Sequence, residues 1–488
     1  MEQTIMDAHQ SNQCRSPRVL IAIANSRGRS ALAGDGPPGV GDPELQQLQA
    51  LLAAHQASLA PILGKASAAR ALATGAPAAF TGPASTRFFR VDAPDSELEL
   101  LRETLANSPL TEAAYIKPAS ESPTLAAPEA RLINRMIASG APPAGGTPSF
   151  MARQIYLDGA PAGINAAFAW AKPGGAGGGV KITDLEWAWE SGHEDLVGKL
   201  GLTGGTQSGD TNHGTAVVGV LGANQNAFGV TGIAHDATLA WRAFPAASSQ
   251  AIEDAADASS PGDILLLEIH RAGPRFGFAA RRDQAGYIAI EWWPDDFEAI
   301  AYAVSRGVIV VEAGGNGAED LDDAIYDTPG VGFGSSWVNP FRRNPADCGA
   351  ILVGAGAPPP GTHAQNWGPD RSRLDFSNHG SAFDAQGWGR EVTSCGYGDL
   401  QGGVPTHWYT DTFSGTSSAS PIIAGTLACV QGNLRARGKA LLTPSEARQM
   451  LRATGSPQQA SPAAPLTQRI GRRPDLKQML AWADAARP

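Results

Sequence analysis

The chain of 488 residues predicts an α/β protein: a doubly wound, mostly parallel sheet preceded by a small α+β domain. Two observations carry this. Beyond about residue 152, the short apolar runs GVKITDL, ATLAWRAF, DILLLEI, GVIVVEAGG and AILVGAG alternate with helical patterns such as DDFEAIAYAVSRG. Strands buried on both faces of a parallel sheet carry continuous apolar runs of this kind. Before residue 118, a few strand-like runs alternate with amphipathic segments and never build a comparable series.

In that first part, PRVLIAIA predicts a strand, and PELQQLQALLAAHQASLAPIL an amphipathic helix with leucines at helical spacing. STRFFRVDAP predicts a second strand. DSELELLRETLANSP predicts a helix opened by Asp95 or Ser96 with acid in its first turn, and TEAAYIKP a third strand. Residues 1–118 are thus read as one domain, the proline- and alanine-rich residues 119–151 as a linker, and 152–488 as the main domain.

The net charge of -10, without a lysine or arginine cluster, argues against nucleic-acid binding. No run of about 18 apolar residues offers a membrane-spanning helix. The N-terminus lacks a basic stretch followed by a long apolar one, so the expected compartment is the cytoplasm, unless the start is misassigned or another export route operates. Cys14, Cys348, Cys395 and Cys429 match no zinc spacing. Free thiols are expected in a chain without an export signal, a Cys348–Cys395 bridge being the alternative.

Three segments bear chemistry. GTSSASP sets Ser417 in a tight turn ahead of an apolar helical run, HGTAVVG sets His213 at the start of a helix, and GVKITDL sets Asp184 at the end of a buried strand. Each has a plain structural reading alone: a cap, a hydrogen-bonding histidine, a turn. Together they supply a nucleophile, the base that activates it and the carboxylate that orients the base, in the chain order Asp, His, Ser.

HGTAVVG and GTSSASP also resemble the histidine and serine motifs of subtilisin-like serine peptidases, a resemblance extending over roughly residues 152–455. It implies a serine endopeptidase acting on protein or peptide substrates through an acyl-enzyme, with Asp184, His213 and Ser417 as the triad. The intact histidine motif argues against the related serine-carboxyl peptidases. VIVVEAGGNG resembles the family segment bearing the oxyanion-hole asparagine, here Asn316. The resemblance further implies a structural calcium site of hard oxygen ligands: Gln154, Asp195, the Asn226 side chain and the carbonyls of Asn224, Phe228 and Val230. It makes the first domain an intramolecular propeptide of a zymogen; an unrelated partner-binding module is the other reading.

Departures from the family pattern accompany the matches. Asp184 is followed by Leu-Glu-Trp instead of Ser or Thr and Gly. In LLLEIHRAG, Glu268 and His270 replace the serine and glycine of the substrate-binding strand, and Glu312 precedes the Asn316 turn. Read as lining the substrate pocket with Gly314, Glu268 and Glu312 predict a preference for a basic residue, because a buried carboxylate needs a partner. A non-catalytic or single-partner processing relative is the competing function.

Overall fold

The computed structural model describes residues 17–33, 42–64, 87–124, 145–244 and 247–487. Cys14 and residues 125–144 of the expected linker lie outside them.

The N-terminal part is a four-stranded antiparallel sheet, β1 (Val19–Ala24), β2 (Ser58–Ile62), β3 (Phe88–Asp92) and β4 (Thr111–Lys117), in the order β2-β3-β1-β4. Its helices are α1 (Ser26–Ala33), α2 (Pro43–Ala54) and α3 (Leu98–Ala106). The main helices α2 and α3 join β1 to β2 and β3 to β4, giving a βαββαβ arrangement. The helix expected over residues 43–63 stops at Ala54: Gln56 takes a positive φ of 52°, and Ser58–Ile62 turns into β2. Pro61 is tolerated there because β2 is an edge strand.

β1 is buried on both faces. Leu20 and Ala22 meet Leu48, Leu52, Leu101 and Leu105 of the domain's own helices. Ile21 and Ile23, with Phe88 and Tyr115, join the core of the main domain around Ile252 and Trp292. Each such side chain is worth about 1.5–3 kcal/mol when fully buried, so apolar contact binds the two parts.

The main domain is built on a seven-stranded parallel sheet in the order β14-β13-β12-β9-β6-β8-β7. Its strands are β6 (Lys181–Glu186), β7 (Leu200–Gly204), β8 (Thr238–Ala243), β9 (Ile264–Leu267), β12 (Ile309–Ala313), β13 (Ile351–Gly356) and β14 (Ala385–Trp388). The five apolar runs became β6, β8, β9, β12 and β13. One face, with Ile182, Leu266, Val311 and Val353, packs against α4 (Asn212–Gly222) and α7 (Thr416–Ala436). The other, with Leu265, Leu267, Val310 and Leu352, packs against α5 (Ser248–Asp257) and α6 (Pro294–Ser305). β15 (Val392–Cys395) and β16 (Tyr409–Phe413) form a hairpin beside α4.

A third sheet crosses the carboxyl ends of these strands. β10 (His270–Ala272) pairs antiparallel with β11 (Tyr287–Ala289) on one side and with β5 (Ser120–Glu121) on the other. The supposed linker therefore begins as a strand laid into the main domain. Cys348, Cys395 and Cys429 are free and buried. Among the described residues, no helix is long and apolar enough to cross a membrane.

Candidate active site

Ser417 is the second residue of α7, after Gly415 and Thr416. Gly415 has φ +100°, and a Cβ there would stand 2.2 Å from the Pro123 carbonyl oxygen and 2.9 Å from Thr124 Cα. Glycine is thus required by conformation and by the close approach of another backbone. The Ser417 backbone N–H donates to that Pro123 carbonyl at 3.2 Å.

His213, the second residue of α4, stands between Glu186 and the edge of Phe413. Its Nδ1 is hydrogen-bonded to Oε2 of Glu186. This corrects the assignment of Asp184: both acids point to the α4 face of β6, but Glu186 lies two residues, about 6.6 Å, nearer the strand end. Asp184 accepts instead from Trp189 Nε1 at 2.8 Å. Burial, and then its neighbour Glu186, push its carboxyl well above the ordinary range. Glu186 Oε1 accepts from Trp187 N at 2.9 Å and from Ser122 Oγ at 3.3 Å. A carboxylate on Nδ1 keeps the proton there and leaves Nε2 as the basic nitrogen. Nε2 of His213 makes no hydrogen bond among the described residues, and Oγ of Ser417 stands near the Glu268 carboxyl.

Glu268 is fully buried on the same sheet face as Asp184, with Oε1 2.5 Å from Ser420 Oγ, which is 2.9 Å from the Thr416 carbonyl. Ser420 has one proton and a carbonyl cannot donate. Both contacts are hydrogen bonds only if Glu268 carries a proton. Burial, then Asp184, push its carboxyl well above the ordinary range. Glu312 leaves the sheet on the opposite face: it accepts from Glu291 N at 3.1 Å, in a group where Arg343 pairs with Glu291 at 2.8 Å. Neither glutamate awaits a cation from a substrate, so the expected basic preference loses its support. Gly314 sits at the end of β12, where a Cβ would come within 2.3 Å of Phe383.

Asn316 faces the start of α7. Its Oδ1 accepts from Thr416 N at 2.9 Å and Thr416 Oγ1 at 3.0 Å, and its Nδ2 donates to Gln284 Oε1 at 3.1 Å. A Cβ on Gly415 would meet both the Pro123 carbonyl oxygen, at 2.2 Å, and Asn316 Nδ2, at 3.1 Å, so this amide lies in the same corner of the cleft. Gln284 belongs to the site as well, donating from Nε2 to the Ser122 carbonyl at 3.1 Å. Burial and the nearby His213 keep the His270 ring neutral.

Gln154, Asp195, Asn226 and Val230 come together, but not as a cage of free oxygens. Asp195 Oδ1 accepts from Asn226 Nδ2 and Oδ2 from Val230 N, both at 2.7 Å. Gln154 Oε1 accepts from Thr231 N at 2.8 Å, and Asn226 Oδ1 from Phe228 N at 2.9 Å. Asn224 donates from its backbone to the Asp195 carbonyl and from Nδ2 to the Val197 carbonyl. With N–H donors on the side-chain oxygens of Gln154, Asp195 and Asn226, these side chains as placed do not fit calcium, and no step is derived through the ion.

The subtilase family matches residues 190–471, beginning after β6, so the acid partner of His213 rests on the structure. Alkaline elastase YaB of Bacillus sp. (strain YaB) is 29% identical over 267 residues, 53% of this chain and 56% of that protein. The chain therefore spans little more than half the length of that curated relative. Fervidolysin from Fervidobacterium pennivorans, described as a keratinolytic enzyme related to subtilisin, is 13% identical with a TM-score of 0.53, covering 96% of this chain and 61% of that one. The epidermin leader peptide processing serine protease of Staphylococcus aureus is 16% identical with a TM-score of 0.53, covering 96% and 99%. At such identities the two structures share the fold.

Proposed function

Because the chain belongs to the subtilase family, we propose that it is a serine endopeptidase made as a zymogen, with Ser417 as nucleophile, His213 as general base and Glu186 as the carboxylate behind it. The observation that carries this is the Glu186–His213 pair beside a helix-start serine whose N–H already holds a peptide carbonyl. His213 Nε2 takes the Ser417 proton as Oγ attacks the carbonyl carbon of a bound peptide. Glu186 stabilises the imidazolium that forms, and the proton then passes to the leaving amine. The Ser417 N–H and Asn316 Nδ2, once released from Gln284, donate to the oxyanion. Water hydrolyses the acyl-enzyme by the same base.

The N-terminal domain is the intramolecular propeptide in this reading: its last described segment runs through the cleft, and Ser417 and His213 are buried beneath it. The test is labelling with a fluorophosphonate, comparing wild type with Ser417→Ala by mass spectrometry. Label on Ser417 and chain cleavage in wild type only are expected. A chain already cut ahead of the main domain that takes no label would be a binding module instead.

A further inference from the structure

Resting on that peptidase reading, we infer that the bond cut in maturation is Pro123–Thr124, and that the cleft selects peptides with glutamate two residues before the scissile proline. The carbonyl that the Ser417 N–H holds at 3.2 Å is that of Pro123. Thr124, beyond it, is fixed by its Oγ1 donating to the Ser414 carbonyl at 3.2 Å. The chain before it is in register: Glu121 lies opposite His270 and Ser120 opposite Arg271. A peptide is thus threaded with Pro123 at the nucleophile and Thr124 on the leaving side.

The position of Glu121 is selective. Its carboxyl is 0% exposed and its Oε1 accepts from Tyr287 Oη at 2.6 Å. The His270 ring, 4.7 Å from the Tyr287 ring, lies opposite it. A glutamate buried here must keep its hydrogen bonds, and an apolar residue in its place takes from the tyrosine O–H the acceptor that Glu121 supplies. Ser122, between Glu121 and Pro123, is buried and donates from Oγ to Glu186 Oε1 at 3.3 Å. The reaction is hydrolysis. Ser417 Oγ bonds to the Pro123 carbonyl carbon, the C–N bond to Thr124 breaks, and the Ser417 proton reaches the Thr124 nitrogen through His213. Water then releases the Pro123 carboxylate and restores the serine.

The test has two parts. The new N-terminus of self-processed protein is read by mass spectrometry, with Thr124 expected. Purified enzyme is then given two peptides spanning residues 119–126, one with the native glutamate and one with alanine in its place. The glutamate peptide should be cut after proline with a kcat/KM about tenfold higher, a ratio that falls toward one in Tyr287→Phe. Label on Ser417 with a different N-terminus, or with equal rates for the two peptides, overturns this inference and leaves the peptidase reading standing. No label, and no cleavage of any peptide in a mixed library, overturns both.

Discussion

Glu186 holds Nδ1 of His213, while Asp184, two residues earlier on the same strand face, is held by the Trp189 indole at 2.8 Å. In the proposed mechanism Glu186 orients the base, and Asp184 is a buried carboxyl outside the reaction. Glu186→Gln should therefore lower kcat by about 10⁴, since an amide on Nδ1 favours the wrong tautomer. Asp184→Asn, which keeps a carbonyl oxygen for Trp189, should cost less than tenfold by the same reasoning. Single-turnover acylation of the two variants decides the matter. A larger loss in Asp184→Asn would reverse the assignment.

The difficulty in reading this acid from sequence was one of register. VKITDLEW offers two acids with the same side-chain parity, and alternation along a strand cannot tell which one reaches the strand end. The absence of the usual small residue and glycine after Asp184 was the available signal, because moving two residues on puts an acid at the last position of β6. The helix starts that carry His213 and Ser417 were legible because their surroundings are fixed locally. The strands of the main sheet were legible for a related reason: runs such as VIVVEA are buried on both sides and do not depend on a partner's register. β2 and β5 were not. SLAPI continues the leucines and alanines of the helix before it, and Ser120–Glu121 becomes a strand only because β10 lies beside it. Glu312 leaves the face away from the site, and Glu268 is engaged by Ser420; a glutamate near a site reads the same in either case.

The proton on Glu268 makes stability depend on pH. Its folded carboxyl lies well above the ordinary 4.5, raised by burial first. The folded protein therefore binds more protons than the unfolded chain above about pH 4.5. The stability this confers is complete below the unfolded value and is lost as pH rises through the folded one. Melting temperatures from about pH 5 to pH 8 should fall in wild type and fall less in Glu268→Gln, which keeps a donor toward Ser420 without a titrating proton. Parallel slopes for the two proteins would remove Glu268 as the cause.

The hydrogen-bonded knot around Asp195 predicts indifference to chelation. Its carboxyl is pushed up to about 6, by burial first, while N–H and O–H donors supply the compensation a cation otherwise gives. Wild type should show the same Tm in EDTA and in excess calcium. Asp195→Ala, which strands the Val230 N–H and leaves the Tyr409 hydroxyl with Glu194 alone, should lose about 1–3 kcal/mol for the buried group left without its partner. A Tm that rises with calcium in wild type but not in Asp195→Ala would mean that the knot rearranges into an ion site.

Lys117 is the last residue of β4, yet its fully buried Nζ lies 2.7 Å from Asp295 and 2.5 Å from Asp296, at the start of α6 in the main domain. Arg271, also buried, donates to the Pro118 carbonyl at 2.5 Å and stands 4.0 Å from Asp296. Two cations and two carboxylates thus close the junction just before the chain enters the cleft. Removing one member of a buried ionic group costs about 3–5 kcal/mol, because the remaining charges stay desolvated. In the uncleaved Ser417→Ala protein, Lys117→Met should speed hydrogen exchange of the β1 and β4 amides and hasten proteolysis between residues 118 and 124. The main sheet should exchange as before. Adding Asp295→Asn and Asp296→Asn should restore much of the protection, since the uncompensated charges go with them. Unchanged exchange in Lys117→Met would mean that the apolar contacts of Ile21, Ile23 and Phe88 hold the domains together without the ionic group.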